Sequence, residues 1–338
     1  MQRSELAAKL GGTFHGEDGG VSALREPADA TPADASCVLR DKYLKAALSS
    51  NAGVLIVASE HILERPHIRV ANIELAWIAL LNLFAPRLER CGVHPSAVIH
   101  PAAILELDVQ IGANVTVARG ARVGRGTVIG AGSAIGENVV IGADCQIFEN
   151  VTIRHHCTLG DRCLIQSGAV IGEDGFGFYR TPEAQHIRQA QIGTVVIADD
   201  VEIGSNTVID RGTLTATTIG PRTKIGPACV IAHNSTVGAD VIMIGAVQLA
   251  GSMTIHDKVV LWGQVGSIGH LTIGEGAVVT AQSGISKNVP GGATWRGSPA
   301  QDIKTQLRLE ARFMALEEME RRLKALEQTV SNRGSGTL

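Results

Sequence analysis

Every sixth residue from Val93 onward is aliphatic. The series runs Val93, Ile99, Leu105, Ile111, Val117, Val123, Ile129, Ile135, Ile141, Ile147, Ile153, Leu159, Ile165 and Ile171. It resumes at Ile197, Ile203 and Ile209, shifts by four residues, and continues from Ile219 to Ile285 with Ser267 as its polar member. A period of six matches neither the 3.6 of a helix nor the alternation of a simple strand. It predicts short strands joined by turns, three hexads to a triangular coil, with the aliphatic residue inward and Gly-Ala or Gly-Asp turning the corner. Coils stacked at about 4.8 Å bury one apolar column, giving about nine or ten coils and a height of roughly 45 Å. A β-sandwich would instead alternate, with wider spacing between turns. The expected fold is mainly β: a left-handed parallel β-helix of hexapeptide repeats, with a small N-terminal α/β domain and C-terminal helices.

Two segments leave the register. Residues 172–192 (GEDGFGFYRTPEAQHIRQAQI) form a long excursion, and 213–218 (TLTATT) a short one. Loops that depart from a regular solenoid often carry function. Residues 1–90 lack the hexad. A helix-like start (5–10), a short apolar strand (53–58) and an apolar amphipathic stretch (73–84) predict a small α/β domain there. From Pro299 the chain turns to charged helix formers. Leu316, Met319, Leu323, Leu326 and Val330 have the spacing of a coiled-coil seam, Leu309 extends it upstream, and Arg312 takes the next inner site. Subunit contact is the preferred reading of that seam, over a helix lying on its own subunit. Residues 331–338 (SNRGSGTL) read as disordered. The expected domains are 1–90, 91–298 and 299–338.

Composition narrows the class. Aromatic residues make up only 3% of the 338, against 39 glycines, which suits a narrow interior of stacked layers. The formal net charge of −3 offers no basic field for nucleic acid. The cysteines (Cys37, Cys91, Cys145, Cys157, Cys163, Cys229) form no CxxC pair and several fill repeat positions, so they read as reduced apolar fillers. The start, MQRSELAAKL, has no apolar signal core, and the longest apolar stretch is too short to span a bilayer. A cytoplasmic protein without a transmembrane segment is expected.

Chemistry must come from polar residues at special places, because this fold also serves non-enzymes. His155 and His156 are adjacent, but no third ligand accompanies them, and no metal is expected. His233, in Ile231-Ala232-His233-Asn234, lies two residues after an inward aliphatic and so faces outward; an imidazole there accepts a proton near neutral pH. Gly251 lies one coil further on, where its N–H can face a reacting carbonyl; its other reading is a corner glycine. His270 follows about two coils beyond His233.

These residues resemble the UDP-3-O-acylglucosamine N-acyltransferases of lipid A synthesis, over nearly the whole chain. The resemblance rests on Asp174-Gly175-Phe176-Gly177-Phe178, Val201-Glu202-Ile203-Gly204, Asp210-Arg211-Gly212 and Ile231-Ala232-His233-Asn234. It continues through Gly263-Gln264-Val265-Gly266, Gly269-His270, Ala281-Gln282-Ser283-Gly284 and Ser298-Pro299-Ala300. It implies a homotrimer with active sites between neighbouring solenoids. It implies transfer of a 3-hydroxyacyl chain from the phosphopantetheine thioester of acyl carrier protein to the 2-amine of a UDP-linked, 3-O-acylated glucosamine, with no cofactor. On that resemblance His233 is the general base, Gly251 holds the thioester oxyanion, and His270 helps to bind substrate. Asp174 and Phe176 border the acyl and sugar clefts, Gln191 closes the loop, Asp210 and Asn234 belong to the substrate site, and Gly284 leaves room for a longer acyl chain. The C-terminal helices dock the acidic carrier, with Arg308, Arg312, Arg321, Arg322 and Lys324 as candidates.

The uridine segment departs from the family pattern Ser-Phe-Leu-x-Asn-Pro-Lys-Tyr. Here it reads Ser36-Cys37-Val38-Leu39-Arg40-Asp41-Lys42-Tyr43. Tyr43 remains to stack on uracil, while Arg40 replaces the Asn and is suited to stacking or phosphate. Ala190 replaces a Pro before Gln191, and Gly226-Pro227 replaces an Asp-Asn pair. These changes point to a related acyltransferase with a different nucleotide-sugar or amine acceptor as the alternative function.

Overall fold

The computed structural model describes residues 1–85, 92–297 and 303–334. The chain divides into two units, Met1–Glu89 and Arg90–Leu338. In the first, α1 (Arg3–Lys9), β1 (Thr13–His15), β2 (Ala23–Leu24), β3 (Asp34–Cys37), α2 (Leu44–Leu48), β4 (Val54–Ala58), β5 (His67–Val70) and α3 (Ile73–Phe84) follow in order. The sheet runs β1-β5-β4-β3-β2, with β1 antiparallel to β5 and the other pairs parallel. The apolar run at 53–58 is β4. Its Val54 and Ile56 pack with Leu6, Ile68 and Leu80, while Leu55 and Val57 pack with Val38 and Ala47 on the other face. Burial on both faces makes the run continuous instead of alternating. The Asn72 side chain starts α3 by accepting the Leu75 N–H at 2.9 Å.

The second unit carries three parallel sheets of 9, 10 and 10 strands. Most of these strands are two residues long and pair with the strand one coil on, as Arg122 with Val140 and Val123 with Ile141. The second residue of each pair points inward. Ile129, Ile147, Ile165, Ile203 and their equivalents form one buried column from Val109 to Val289. The predicted left-handed parallel β-helix of hexapeptide repeats is the fold observed. Cys145, Cys157, Cys163 and Cys229 are free thiols in its core.

Corner chemistry differs from the expectation. The left-handed residue comes three places after the inward aliphatic: Asn138 (φ 54°) after Ile135, Asp144 (φ 54°) after Ile141, Asn234 (φ 62°) after Ile231. Short polar side chains tolerate that conformation. The glycine directly after the aliphatic serves close approach between coils instead. A Cβ on Gly142 would lie 2.5 Å from the backbone carbonyl of Gly160 in the next coil.

The long excursion carries a hairpin, Phe178–Arg180 antiparallel to His186–Arg188, and the coil resumes at Thr194–Ile197. The short excursion is smaller than expected. Ala216–Ile219 is a strand paired residue for residue with Thr194–Ile197. Its Thr217 is buried at an inward position, and that polar residue hid the strand from the aliphatic pattern.

At the C-terminus α4 (Ile303–Met314) and α5 (Leu316–Gly334) are interrupted at Ala315, whose N–H is shared by the Ala311 and Arg312 carbonyls at 3.2 Å each. Leu309 on α4 and Leu316, Met319, Leu323, Leu326 and Val330 on α5 are exposed. Residues 331–334 continue α5 instead of being disordered. Residues 335–338, both expected domain boundaries, Cys91 and the Ser298-Pro299-Ala300 motif lie outside the described residues. Among the described residues no helix is long and apolar enough to cross a membrane.

Candidate active site

His233, Gly251 and Gly269 occupy the same corner position in successive coils. A Cβ on Gly251 would sit 2.8 Å from both Cε1 and Nε2 of His233, and one on Gly269 would sit 2.8 Å from the Gly251 carbonyl oxygen. Glycine therefore leaves the Nε2 edge of the imidazole open. The same stacking explains the Gly251 N–H. At comparable corners that group is capped by an aspartate one coil on: Ala143 N–H by Asp161 at 2.8 Å, Ala239 N–H by Asp257 at 2.8 Å. Above Gly251 the next residue is Gly269, which has no side chain. Among the described residues the Gly251 N–H has no acceptor. The Gly251 carbonyl accepts the His270 N–H at 3.0 Å, and the His270 side chain is exposed.

Hydrogen bonds fix the tautomer of His233. Asn234 Oδ1 accepts the Thr213 backbone N–H at 3.2 Å, and a backbone N–H can only donate. His233 Nδ1 lies 2.9 Å from that same oxygen, so Nδ1 carries the proton and Nε2 the free lone pair. The Thr213 hydroxyl has one proton. It goes to Gln191 Oε1 at 2.8 Å, whose amide nitrogen is turned to the Gln189 carbonyl at 3.3 Å. Thr217 Oγ1 accepts the Asn234 N–H at 2.9 Å.

The long excursion closes the other side of the imidazole. A Cβ on Gly175 would lie 2.7 Å from His233 Cβ and Cδ2. Beside it, Asp174 accepts from Arg188 at 2.6 Å and stands 3.8 Å from both Arg154 and Arg211. Asp210 is buried and pairs with Glu173 across a register shift that follows Ile171. Burial pushes its carboxyl up to about 6; the His233 imidazole opposes the rise, and Glu173 and Asp174 add to it.

That shift has a consequence for stability. Between pH 3.8, where the carboxyl titrates when exposed, and about 6, the folded chain holds a proton that the unfolded chain has lost. The contribution of Asp210 to stability therefore falls as pH rises through this window. Asp210→Asn is expected to raise the melting temperature at pH 7 and leave it nearly unchanged at pH 4, as thermal denaturation at the two pH values will show.

The structure thus brings together His233, Gly251, Asn234, Gln191, Asp174 and Asp210. Phe176 is 86% exposed and meets the Phe178 ring edge-on at 5.0 Å. Gly284 faces open space, with nothing within 4 Å of an added Cβ. In the first unit Tyr43 lines a largely apolar cavity of about 550 Å³ with Cys37, Leu39, Trp77 and Leu81. Arg40 is exposed and is not part of that lining.

Sequence reasoning missed Gly175, Thr213, Thr217 and the Arg211–His155 pair. Counting by 18 fails across the two insertions, so nothing in the spacing places 213 or 217 beside 234. His155 Nε2 is held by Arg211 at 2.7 Å.

Residues 138–173 match the bacterial transferase hexapeptide family (six repeats). A UDP-3-O-acylglucosamine N-acyltransferase of Coxiella burnetii is 34% identical over 97% of both chains. The protein of that name from Neisseria meningitidis serogroup B is 42% identical over 74% of this chain and 72% of its own. The solved Arabidopsis UDP-N-acetylglucosamine acyltransferase superposes with a TM-score of 0.56 over 61% of this chain and 71% of its own, at 24% identity, a likeness of fold alone. Identity at this level along the whole length places the chain in the UDP-3-O-acylglucosamine N-acyltransferase family: it is an acyltransferase of that family.

Proposed function

We propose that the protein transfers a 3-hydroxyacyl chain from the phosphopantetheine thioester of acyl carrier protein to the 2-amine of UDP-3-O-acylglucosamine, as a cytoplasmic homotrimer with sites between adjacent solenoids. The observation that carries the reading is the pairing of a His233 Nε2 lone pair with an uncapped Gly251 N–H one coil above it.

In this reading the amine nitrogen attacks the thioester carbonyl carbon while His233 Nε2 takes its proton. The Gly251 N–H holds the oxygen that becomes negative. Collapse breaks the C–S bond, and the imidazolium gives the proton to the leaving thiolate. The thioester is already activated, so neither a metal nor a covalent acyl-enzyme takes part. His270 binds substrate beside the column, and the excursion with Asp174 and Phe176 borders the clefts. Asp210, Gln191 and Asn234 line and order the site. The open space at Gly284 suits a long acyl chain, Tyr43 stacks on uracil, and the basic residues of α4 and α5 receive the acidic carrier.

A specific observation supports a second acceptor. Cys37 stands in the Tyr43 cavity at the position where the family pattern that the segment resembles has Phe, and Arg40 lies outside its lining. Incubation of the protein with 3-hydroxyacyl carrier protein and UDP-3-O-acylglucosamine, followed by mass spectrometry, separates the two. The diacyl product is expected. A folded protein that acylates another nucleotide-sugar amine, and not this one, establishes the second reading.

A further inference from the structure

We infer that Arg211 is a positioning residue, whose guanidinium ties both ends of the 172–193 excursion to the solenoid and so sets the orientation of His233; the inference rests on the role proposed above for His233.

Arg211 is 1% exposed, the largest fully buried side chain of the chain's described residues. Its Nε donates to the Gly172 carbonyl at 2.9 Å, and its Nη1 donates to the Gly193 carbonyl at 3.3 Å. Gly172 lies in the strand that leads into the excursion (Val170–Glu173) and Gly193 directly precedes the strand to which it returns (Thr194–Ile197), so 172–193 is the excursion with its junction residue. Nη1 also meets His155 Nε2 at 2.7 Å, and Nη2 donates to the His155 carbonyl at 3.2 Å, so the same side chain is anchored in the preceding coil. Burial and the neighbouring Arg211, His156 and Arg154 charges hold the His155 imidazole below its usual range against the pull of Asp174, which keeps Nε2 an acceptor. The junction admits little else. Gly172 has φ 88°, and a Cβ there would lie 2.5 Å from Cys157 Sγ; one on Gly193 would strike the Thr215 and Gly212 carbonyls.

Both arms of the tied excursion reach the imidazole. On the outgoing arm Gly175 packs against His233 Cβ, Cγ and Cδ2. On the returning arm Gln191 is joined through Thr213 to Asn234, and Asn234 orients His233 Nδ1. A planar guanidinium bridges carbonyls at two ends of a loop, whereas the single ammonium of lysine does not. A base displaced by about 1 Å loses roughly 10²-fold in rate.

The test uses the full chain as Arg211→Met and Arg211→Lys, read by amide hydrogen exchange and by steady-state kinetics. In Arg211→Met, exchange within 172–193 is expected to rise about tenfold or more, with the strands at 194–197 and 216–219 close to wild type. Turnover is expected to fall by about 10² while KM stays within about threefold, and Arg211→Lys is expected not to restore it. A purely structural role raises exchange throughout the neighbouring coils, or raises KM and lowers turnover together, and overturns the inference. So does unchanged exchange in the excursion. Exchange needs no substrate. If wild type transfers no acyl group, the proposed function fails, and the excursion's exchange alone decides the clamp. If Arg211→Met does not accumulate folded, His155→Phe removes one acceptor and keeps the ring; a rise in exchange confined to 172–193 supports the clamp, and unchanged exchange overturns it.

Discussion

Replacing His233 with alanine lowers acyl-transfer turnover by about 10²-fold or more while the protein stays folded, because a positioned general base contributes roughly 10²–10⁴-fold. The fold tolerates the change. The imidazole is only half-buried and its one side-chain bond runs to Asn234, which keeps the Thr213 N–H and Thr217 hydroxyl as partners. Both substrates still bind, so the loss falls on turnover and not on KM. The measurement is a steady-state assay of wild type and variant side by side, with melting temperature as the control for folding. Turnover within a few-fold of wild type removes His233 from the chemistry.

Gly251→Ala should cost nearly as much, by about 10²-fold in turnover, for a different reason. The backbone at Gly251 is outside the left-handed region, so alanine adds no strain to the chain. The new methyl group would stand 2.8 Å from His233 Cε1 and Nε2, closer than such atoms approach. The imidazole is the movable partner and gives way. Stability is therefore expected to change little, while the lone pair of Nε2 swings from its place and the N–H above it is covered. Equal melting temperatures with a large fall in turnover are the expected result. Unaltered turnover shows that nothing reacts in the gap between these two residues.

The solenoid was legible because its order is one-dimensional. Each inward aliphatic repeats every sixth residue, and stacked coils impose the same environment on all of them, so Ile129, Ile147 and Ile165 report burial without reference to distant chain. The column His233–Gly251–Gly269 follows from the same counting, since one coil is one fixed step. The family resemblance of the motifs around His233, Gly251 and His270 added the kind of chemistry. The N-terminal unit was only partly legible. β4 announced itself by an unbroken apolar run, but β1, β2, β3 and β5 are two to four residues long and carry no period of their own.

Only the tertiary structure decided how the imidazole is held. Thr213 lies 22 residues after Gln191 and 21 before Asn234, where the step of 18 no longer applies, and the hydrogen bonds between them leave no periodic trace. Arg211 reads in the sequence as one letter of a motif; its burial, and its bonds to both ends of the 172–193 excursion, arise because that excursion must close over a coil interior that offers bare carbonyls. Hydrophobic burial depends on local pattern and so is written along the chain, whereas the geometry of a polar site depends on which donors meet which acceptors after the coils have stacked.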